Sequence, residues 1–459
     1  MPLGEWYNTF DYYRRIPLLK KMFWWYFLLL IFEGALRKWI FPEYSAPLLL
    51  VRDPLALLII AEAYREDRMP QRWALFIGGM ATFLIALCVI QVVTVDNPWM
   101  AAVYGLRSDL LPFPIALIMG ENLDSDDLRR FARCTLWLML PETALEIAQY
   151  LAPAGSILNA GAYQGGTQIS YAGSHVRASG TFSFVVGPAS FIPLAAVFLL
   201  YGMFEEGFIP IWLLWSAAVA AFVSIPIIGS RTLVVGVAAV IGCAAVASIF
   251  GASKFLKSLR ILVPLLGVFL LASLLPIVSE SSRTLHERVV GANEVEGKGS
   301  YHGAVLHRTL APFTRRLEET DFSSNPVGYG MGRGAAAVTK LLQGRVQFIA
   351  GESEIDRAIY ELGPFPGFGY TLLRFGLALT LMIRAFSHTR DGSPLAWLIS
   401  PLMFSGVTLS VLEQPTEQGF MVIFIAFTLA ALKIPGKTIQ RATGVRSVVQ
   451  PERYSNPIR

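Results

Sequence analysis

Apolar runs of about 20 residues recur along this chain. They constrain its fold more than any other feature, because about 20 helical residues are what the hydrocarbon core of a bilayer takes to cross. Of the 459 residues, 54% are hydrophobic and 15% charged, and the mean hydropathy is +0.52. That excludes an ordinary soluble domain. Twelve spans are expected, near 22–40, 46–63, 73–95, 98–119, 130–151, 182–203, 209–228, 232–250, 260–279, 365–386, 395–412 and 418–433. The fold class is an all-α polytopic membrane protein. The first run follows Arg14, Arg15, Lys20 and Lys21 with no small-residue cleavage site after it, so it reads as a retained span.

Loop charge sets the orientation. With the N-terminus inside, the inner segments carry about 21 Lys and Arg, against Arg37, Lys38, Arg177 and Arg231 in the short outer loops. Both termini are therefore expected in the cytoplasm. The chain then divides into an inner tail 1–21, a membrane region 22–279 with an outer loop at 152–181, a long outer loop 280–364, a membrane region 365–433 and a basic inner tail 434–459. A loop as long as 280–364 is usually functional or carries structure of its own, and residues 301–319 and 335–349 read as helices within it.

Several function classes drop out. The net charge of +5 fits basic inner loops and does not require nucleic acid. Cys88, Cys134 and Cys243 each lie inside an apolar run, too far apart for a metal motif. His302 and His307 are spaced i, i+5, which suits no shared helical ligation, so no metal site is expected. The glycine run Gly328-Tyr-Gly330-Met-Gly332-Arg333-Gly334 looks like a phosphate cradle but follows no strand of a βαβ unit, so it is no nucleotide loop. It reads as a tight loop near substrate, with Arg333 as an added phosphate contact.

The candidate site comes from charge at the outer face. Gly351-Glu352-Ser353-Glu354-Ile355-Asp356-Arg357 runs into Tyr360-Glu361-Leu362-Gly363 at the lip of an apolar helix, and charge held there is costly. On a helix, Glu354, Arg357 and Glu361 share one face. In a soluble protein that ladder would be an ion-pair network of little worth. Here it faces an apolar mouth, where a carboxylate of raised pKa can accept a proton. Arg177, in His175-Val-Arg177-Ala-Ser179-Gly180-Thr181-Phe182, and Arg231, in Gly229-Ser230-Arg231-Thr232, are expected at the same face. A lone arginine there can simply snorkel to headgroups, but three at one level suit a diphosphate. Glu33, Arg52, Asp53, Arg107 and Asp109 fall within spans. Unpaired they would cost about 2.5–3.5 kcal/mol each, so they are expected to pair.

The order of these marks resembles the bacterial O-antigen ligase and polymerase superfamily, exopolysaccharide polymerases included. The marks are Arg-Ala-Ser-Gly-Thr-Phe followed by Gly187-Pro188, then Gly-Ser-Arg-Thr, Gly-Tyr-Gly-Met-Gly, and Gly-Glu-Ser-Glu with Arg357 and Glu-Leu-Gly. The likeness covers roughly residues 20–430. It implies a GT-C-like, metal-independent and cofactor-free glycosyltransferase of the bacterial inner membrane. Such an enzyme works from undecaprenyl-diphosphate-linked glycan at the periplasmic side, among membrane lipids and beside a chain-length regulator. In the ligases a loop histidine opens a His-Asn motif. Here that place reads Glu352-Ser353-Glu354, which moves the reading toward polymerase. The expected roles are Glu354 or Glu352 as base, Arg177, Arg231, Arg357 and Arg333 on diphosphate, and Glu361 and His175 in support. Competing readings are a ligase of finished glycan, a polysaccharide or lipid transporter, and a non-catalytic scaffold.

Overall fold

A computed structural model describes residues 17–162, 171–172, 175–205, 207–249, 279–283, 326–335, 338, 353–391 and 393–434. Both tails beyond these bounds, the expected span at 260–279 up to residue 278, Glu352 and the expected helices at 301–319 and 335–349 lie outside the described residues, Ala335 and Val338 apart.

The described chain is helical. In order come α1 (Leu18–Ala35), α2 (Arg52–Arg65), α3 (Ala74–Thr94), α4 (Trp99–Leu110), α5 (Pro112–Asn122), α6 (Ser125–Leu151), α7 (Val186–Phe204), α8 (Ile211–Ile228), α9 (Arg231–Ile249), α10 (Glu354–Leu362), α11 (Pro364–Asp391), α12 (Leu395–Leu409) and α13 (Pro415–Ala431). A two-residue antiparallel pair, β1 (Tyr171–Ala172) with β2 (His175–Val176), interrupts the helices between α6 and α7. Among the described residues, six helical stretches are long and apolar enough to cross a membrane: Gln71–Thr94, Trp99–Asn122, Val186–Phe204, Ile211–Ile228, Arg231–Ile249 and Pro364–Thr389. α12 and α13 are apolar but shorter.

Local chemistry sets the helix ends. Asp124 caps α6, its side chain accepting from the N–H of Asp126 and Asp127, while Asp127 returns a bond to the Asp124 N–H. α8 stops at Gly229, whose φ of +57° is the left-handed cap that a Cβ would disfavour. The span expected at 98–119 is α4 running on into α5, Leu111 between them keeping helical backbone angles ahead of Pro112.

The helices alternate in direction. At one end Lys20, opening α1, pairs with Asp124 and Asp127 at the start of α6. Arg129 of α6 binds the Gly207 and Phe208 carbonyls between α7 and α8. Lys433, after α13, donates to the Gly120, Glu121 and Leu123 carbonyls where α5 ends. The other ends of these helices gather the polar residues described next. Between the two ends lies an aromatic knot in which Phe27, Phe131, Phe198 and Phe427 meet edge-on or tilted, with Trp24 stacked 3.9 Å from Phe131. In lipid, such close packing and interhelical hydrogen bonds replace the hydrophobic drive as the main source of cohesion. α13 is buried almost throughout, whereas α3 turns Val89, Val93 and Ile85 outward.

Candidate functional site

Three helix ends and one glycine loop converge on Arg357. α10 is capped by the Ser353 side chain, which accepts from the Asp356 N–H, and it runs back along α11. Its first residue, Glu354, reaches Arg374, ten positions into α11. Arg374 also donates to the Val407 and Ser410 carbonyls (2.7 and 3.1 Å), capping the C-terminal end of α12. The turn 410–414 between α12 and α13 therefore lies well below the start of α11, at the level of Arg374. α10 occupies the space above it.

Arg357 is 3% exposed, and carboxylates take up its guanidinium. Nε and Nη2 reach Glu354 (2.9 and 2.6 Å), Nη2 reaches Asp109 (2.6 Å) and Nη1 reaches Glu361 (2.7 Å), with Glu413 at 3.8 Å. Tyr370 donates to the Asp109 carbonyl (3.0 Å), and the Gly334 N–H to Glu361 (2.6 Å). The acids outnumber the arginines, so the pocket is not an anion site. Burial acts against the Glu354 carboxylate, but Arg357 and Arg374 more than reverse this and hold it below the usual range. Glu413 goes the other way: burial and then neighbouring Glu361 push its carboxyl well above that range. Its Oε1 has no hydrogen-bond partner among the described residues.

A second cluster lies across the bundle around residues 177–181. Gln149 of α6 accepts from the N–H groups of Ser179 and Gly180 (3.0 and 2.9 Å). Glu142, two turns earlier, accepts from the N–H (3.0 Å) and the hydroxyl of Thr181. Lys38 donates to the Ser179 hydroxyl and the Gly180 carbonyl (3.0 and 2.7 Å). Arg37 binds Ser183, Ala162 and the Ser45 carbonyl. Arg177 donates to the Ile228 carbonyl (3.1 Å) at the end of α8. It therefore stands beside the turn that carries Arg231, the first residue of α9.

The two clusters form one polar layer around the start of α13. Arg37 and Arg52 flank Glu33 (3.5 and 3.1 Å), and Arg52 binds the Pro415 carbonyl. Arg107 grips Asp53 (2.6 and 2.8 Å) and Gln418 (3.2 Å), and Gln418 donates to the Ser108 carbonyl beside Asp109.

The expected helix face of Glu354, Arg357 and Glu361 is present as two direct ion pairs. Four other expectations need correction. Arg357 is not open to a diphosphate, because its donors already serve buried carboxylates. Glu354 is not a carboxylate of raised pKa, because two arginines hold it ionised. Arg333 is not a phosphate contact: it binds Asn97 and the Val95 and Asp96 carbonyls (3.1, 3.2 and 3.0 Å), fixing the turn between α3 and α4. The three arginines do not share one site, since Arg177 lies with the Arg231 turn and Arg357 in the acid pocket. Pairing of the intramembrane charges is as expected for Glu33 with Arg52 and Asp53 with Arg107, but Asp109 turns to Arg357. His175 lies in β2. The glycine loop is tight, as expected: Gly332, at φ +80°, sits where a Cβ would press the Ala101 carbonyl and the Gly105 N–H. Arg374, Glu413 and Glu142 are site residues that the sequence did not single out.

Arg333→Gln is expected to lower stability by about 2 kcal/mol, the scale of losing hydrogen bonds from a charged donor, without changing affinity for a lipid diphosphate. Thermal unfolding and lipid-binding measurements on the same preparation check both halves. No protein-family model, no curated protein and no solved structure matches the chain.

Proposed function

We propose that this protein joins undecaprenyl-diphosphate-linked oligosaccharide repeat units into O-antigen or exopolysaccharide at the periplasmic face of the bacterial inner membrane. The reading takes the chain as twelve spans with both termini cytoplasmic and the long loop outside. The observation that supports it best is the split of charge within one polar layer. Lys38, Arg37, Arg177 and Arg231 outnumber Glu33 and Glu142 on one side, and Asp109, Glu354, Glu361 and Glu413 outnumber Arg357 and Arg374 on the other.

Polymerisation needs both. The acceptor hydroxyl oxygen bonds to the anomeric carbon, and the bond from that carbon to the diphosphate breaks. The leaving diphosphate takes the electron pair, where fixed cations stabilise it. The hydroxyl proton passes to a carboxylate. Arg177 and Arg231 are the diphosphate ligands in this scheme. Glu413, with one oxygen that makes no hydrogen bond among the described residues, fits the proton acceptor better than Glu354, once its own proton has been released to the outer aqueous side.

The test is the size profile of surface and lipid-linked glycans after deletion of the gene, restored with wild type, Arg231→Ala or Arg231→Lys. Deletion is expected to leave single repeats. Arg231→Ala should fall roughly 10²–10³-fold in extension rate, at unchanged membrane abundance, with Arg231→Lys between. Full-length polymer from Arg231→Ala would remove the diphosphate role. Full-length chains stranded on the carrier in the deletion strain would indicate a ligase.

One observation favours a transporter as the second reading. The α4–α5 span carries Pro112 and Pro114 close to buried Asp109, and proline-interrupted spans with charge inside the bundle are common in transporters. Repeat units trapped at the cytoplasmic face in the deletion strain would support it.

A further inference from the structure

The end of the bundle opposite the polar layer holds a cavity of about 480 Å³ that the proposed transfer does not use. It opens where α3 begins and where α5, α11 and α13 end. Arg72, Arg384, His388 and Lys433 line it, with Glu121 as the one acid among its lining residues. Lys433 is fixed in place by its three carbonyl contacts and contributes its charge from there. Arg384 lies over the Trp73 ring at 5.8 Å, and Trp73 donates to Glu121 at 3.3 Å. The acid is thus drawn toward the indole while the cations surround the opening. A tryptophan at this height suits the boundary between headgroups and hydrocarbon.

The cavity continues into an apolar track. Its wall residue Ile383 is 57% exposed, and from it Leu379, Phe375 and Leu372 follow at spacings of four, four and three along α11, all exposed. That spacing keeps them on one helix face. The track from Ile383 to Leu372 is about 16 Å long, close to the depth of one leaflet of a ~30 Å core. A cationic cavity with a one-leaflet apolar track leading from it matches a molecule with an anionic head and an acyl chain.

We propose that this cavity binds the phosphate headgroup of an anionic glycerophospholipid of the inner leaflet, with one acyl chain lying along Ile383, Leu379, Phe375 and Leu372. Free phosphate shares the headgroup chemistry but has no use for the track, so the lipid is the occupant. Basic pockets between helix ends on the cytoplasmic side suit such heads.

The test uses the purified full-length chain in detergent, with phosphatidylglycerol, phosphatidylcholine of the same acyl chains, and inorganic phosphate as probes. Retention is read by native mass spectrometry and by the shift in unfolding temperature. Phosphatidylglycerol is expected to be retained over phosphatidylcholine, and the double variant Arg72→Gln/Arg384→Gln to weaken it roughly thirty-fold. Leu379→Gln should weaken the lipid further without affecting phosphate. All these positions are exposed at the rim or the lipid face, and Arg72→Lys/Arg384→Lys, which keeps the charge, is expected to restore retention. Equal retention of the two lipids, or a double variant as competent as wild type, would overturn the site. Stabilisation by inorganic phosphate equal to that by phosphatidylglycerol would overturn the lipid as its occupant.

Discussion

Replacing Arg357 by methionine is expected to cost the fold, not only the activity. The side chain is 3% exposed and holds Asp109, Glu354 and Glu361, which are themselves 0–2% exposed. Burial opposes the guanidinium charge, but these three carboxylates more than offset it. Methionine fills the volume and leaves three buried acids with one fewer cation among them. Breaking a buried ion pair from one side costs about 3–5 kcal/mol, because the partner's charge stays buried and uncompensated. Against a total of about 5–15 kcal/mol for a typical domain, that is enough to deplete the folded protein from the membrane. Arg357→Lys should lose less, yet still a good part, because one ammonium cannot reach several carboxylates as a planar fork does. Membrane abundance and thermal unfolding in detergent check this; a methionine variant melting with wild type would show that the acids are not ionised in the folded state.

Glu413→Gln is expected to act in the opposite direction, with an effect that depends on pH. The Glu413 carboxyl is raised from an ordinary value of 4.5 by burial and by Glu361, so folding favours its protonated form. Its stabilising contribution is whole below that ordinary value and drains away as pH rises toward the folded one. Glu354 is lowered despite burial, by Arg357 and Arg374. Its contribution is present above 4.5 and is lost as pH falls through its folded value. Glutamine keeps the shape of neutral Glu413 and cannot ionise. The variant should match wild type in acid and out-melt it increasingly as pH rises above the ordinary carboxyl value of 4.5. The same substitution should remove polymer extension if Glu413 takes the acceptor's proton. Parallel melting curves for the two proteins across this range would refute the raised carboxyl.

Much of the scaffold is written locally in the chain and so can be read from it. The apolar runs at 73–95, 182–203, 209–228 and 232–250 match α3, α7, α8 and α9 within a few residues, because the length and apolarity that a bilayer demands are properties of a short stretch. The face shared by Glu354, Arg357 and Glu361 is local in the same way, being a matter of helical spacing. What Arg357 touches is not local. Asp109 is 248 positions away, and no short-range pattern marks that contact. Arg374 reads as an ordinary charge inside a span until α10 folds back along α11 and brings Glu354 to it. Arg333 looked like a phosphate contact because it follows glycines. The fold instead places it at the turn 95–98, whose carbonyls need a donor.

The layer around the start of α13 also governs how this chain can vary. Arg52 and Arg107 do not bind each other, yet both hold the same helix start, one through the Pro415 carbonyl and the other through Gln418. Glu33 serves two arginines, and Arg357 serves three acids and stands near a fourth. A change at any one of these positions alters what its partners' partners require, so the effects of separate substitutions here do not simply add. Single replacements are penalised while compensated sets are accepted. Descendants of this sequence should therefore change this belt in coordinated exchanges of acid and base, while the lipid-facing surfaces of α3 and α9 drift one residue at a time.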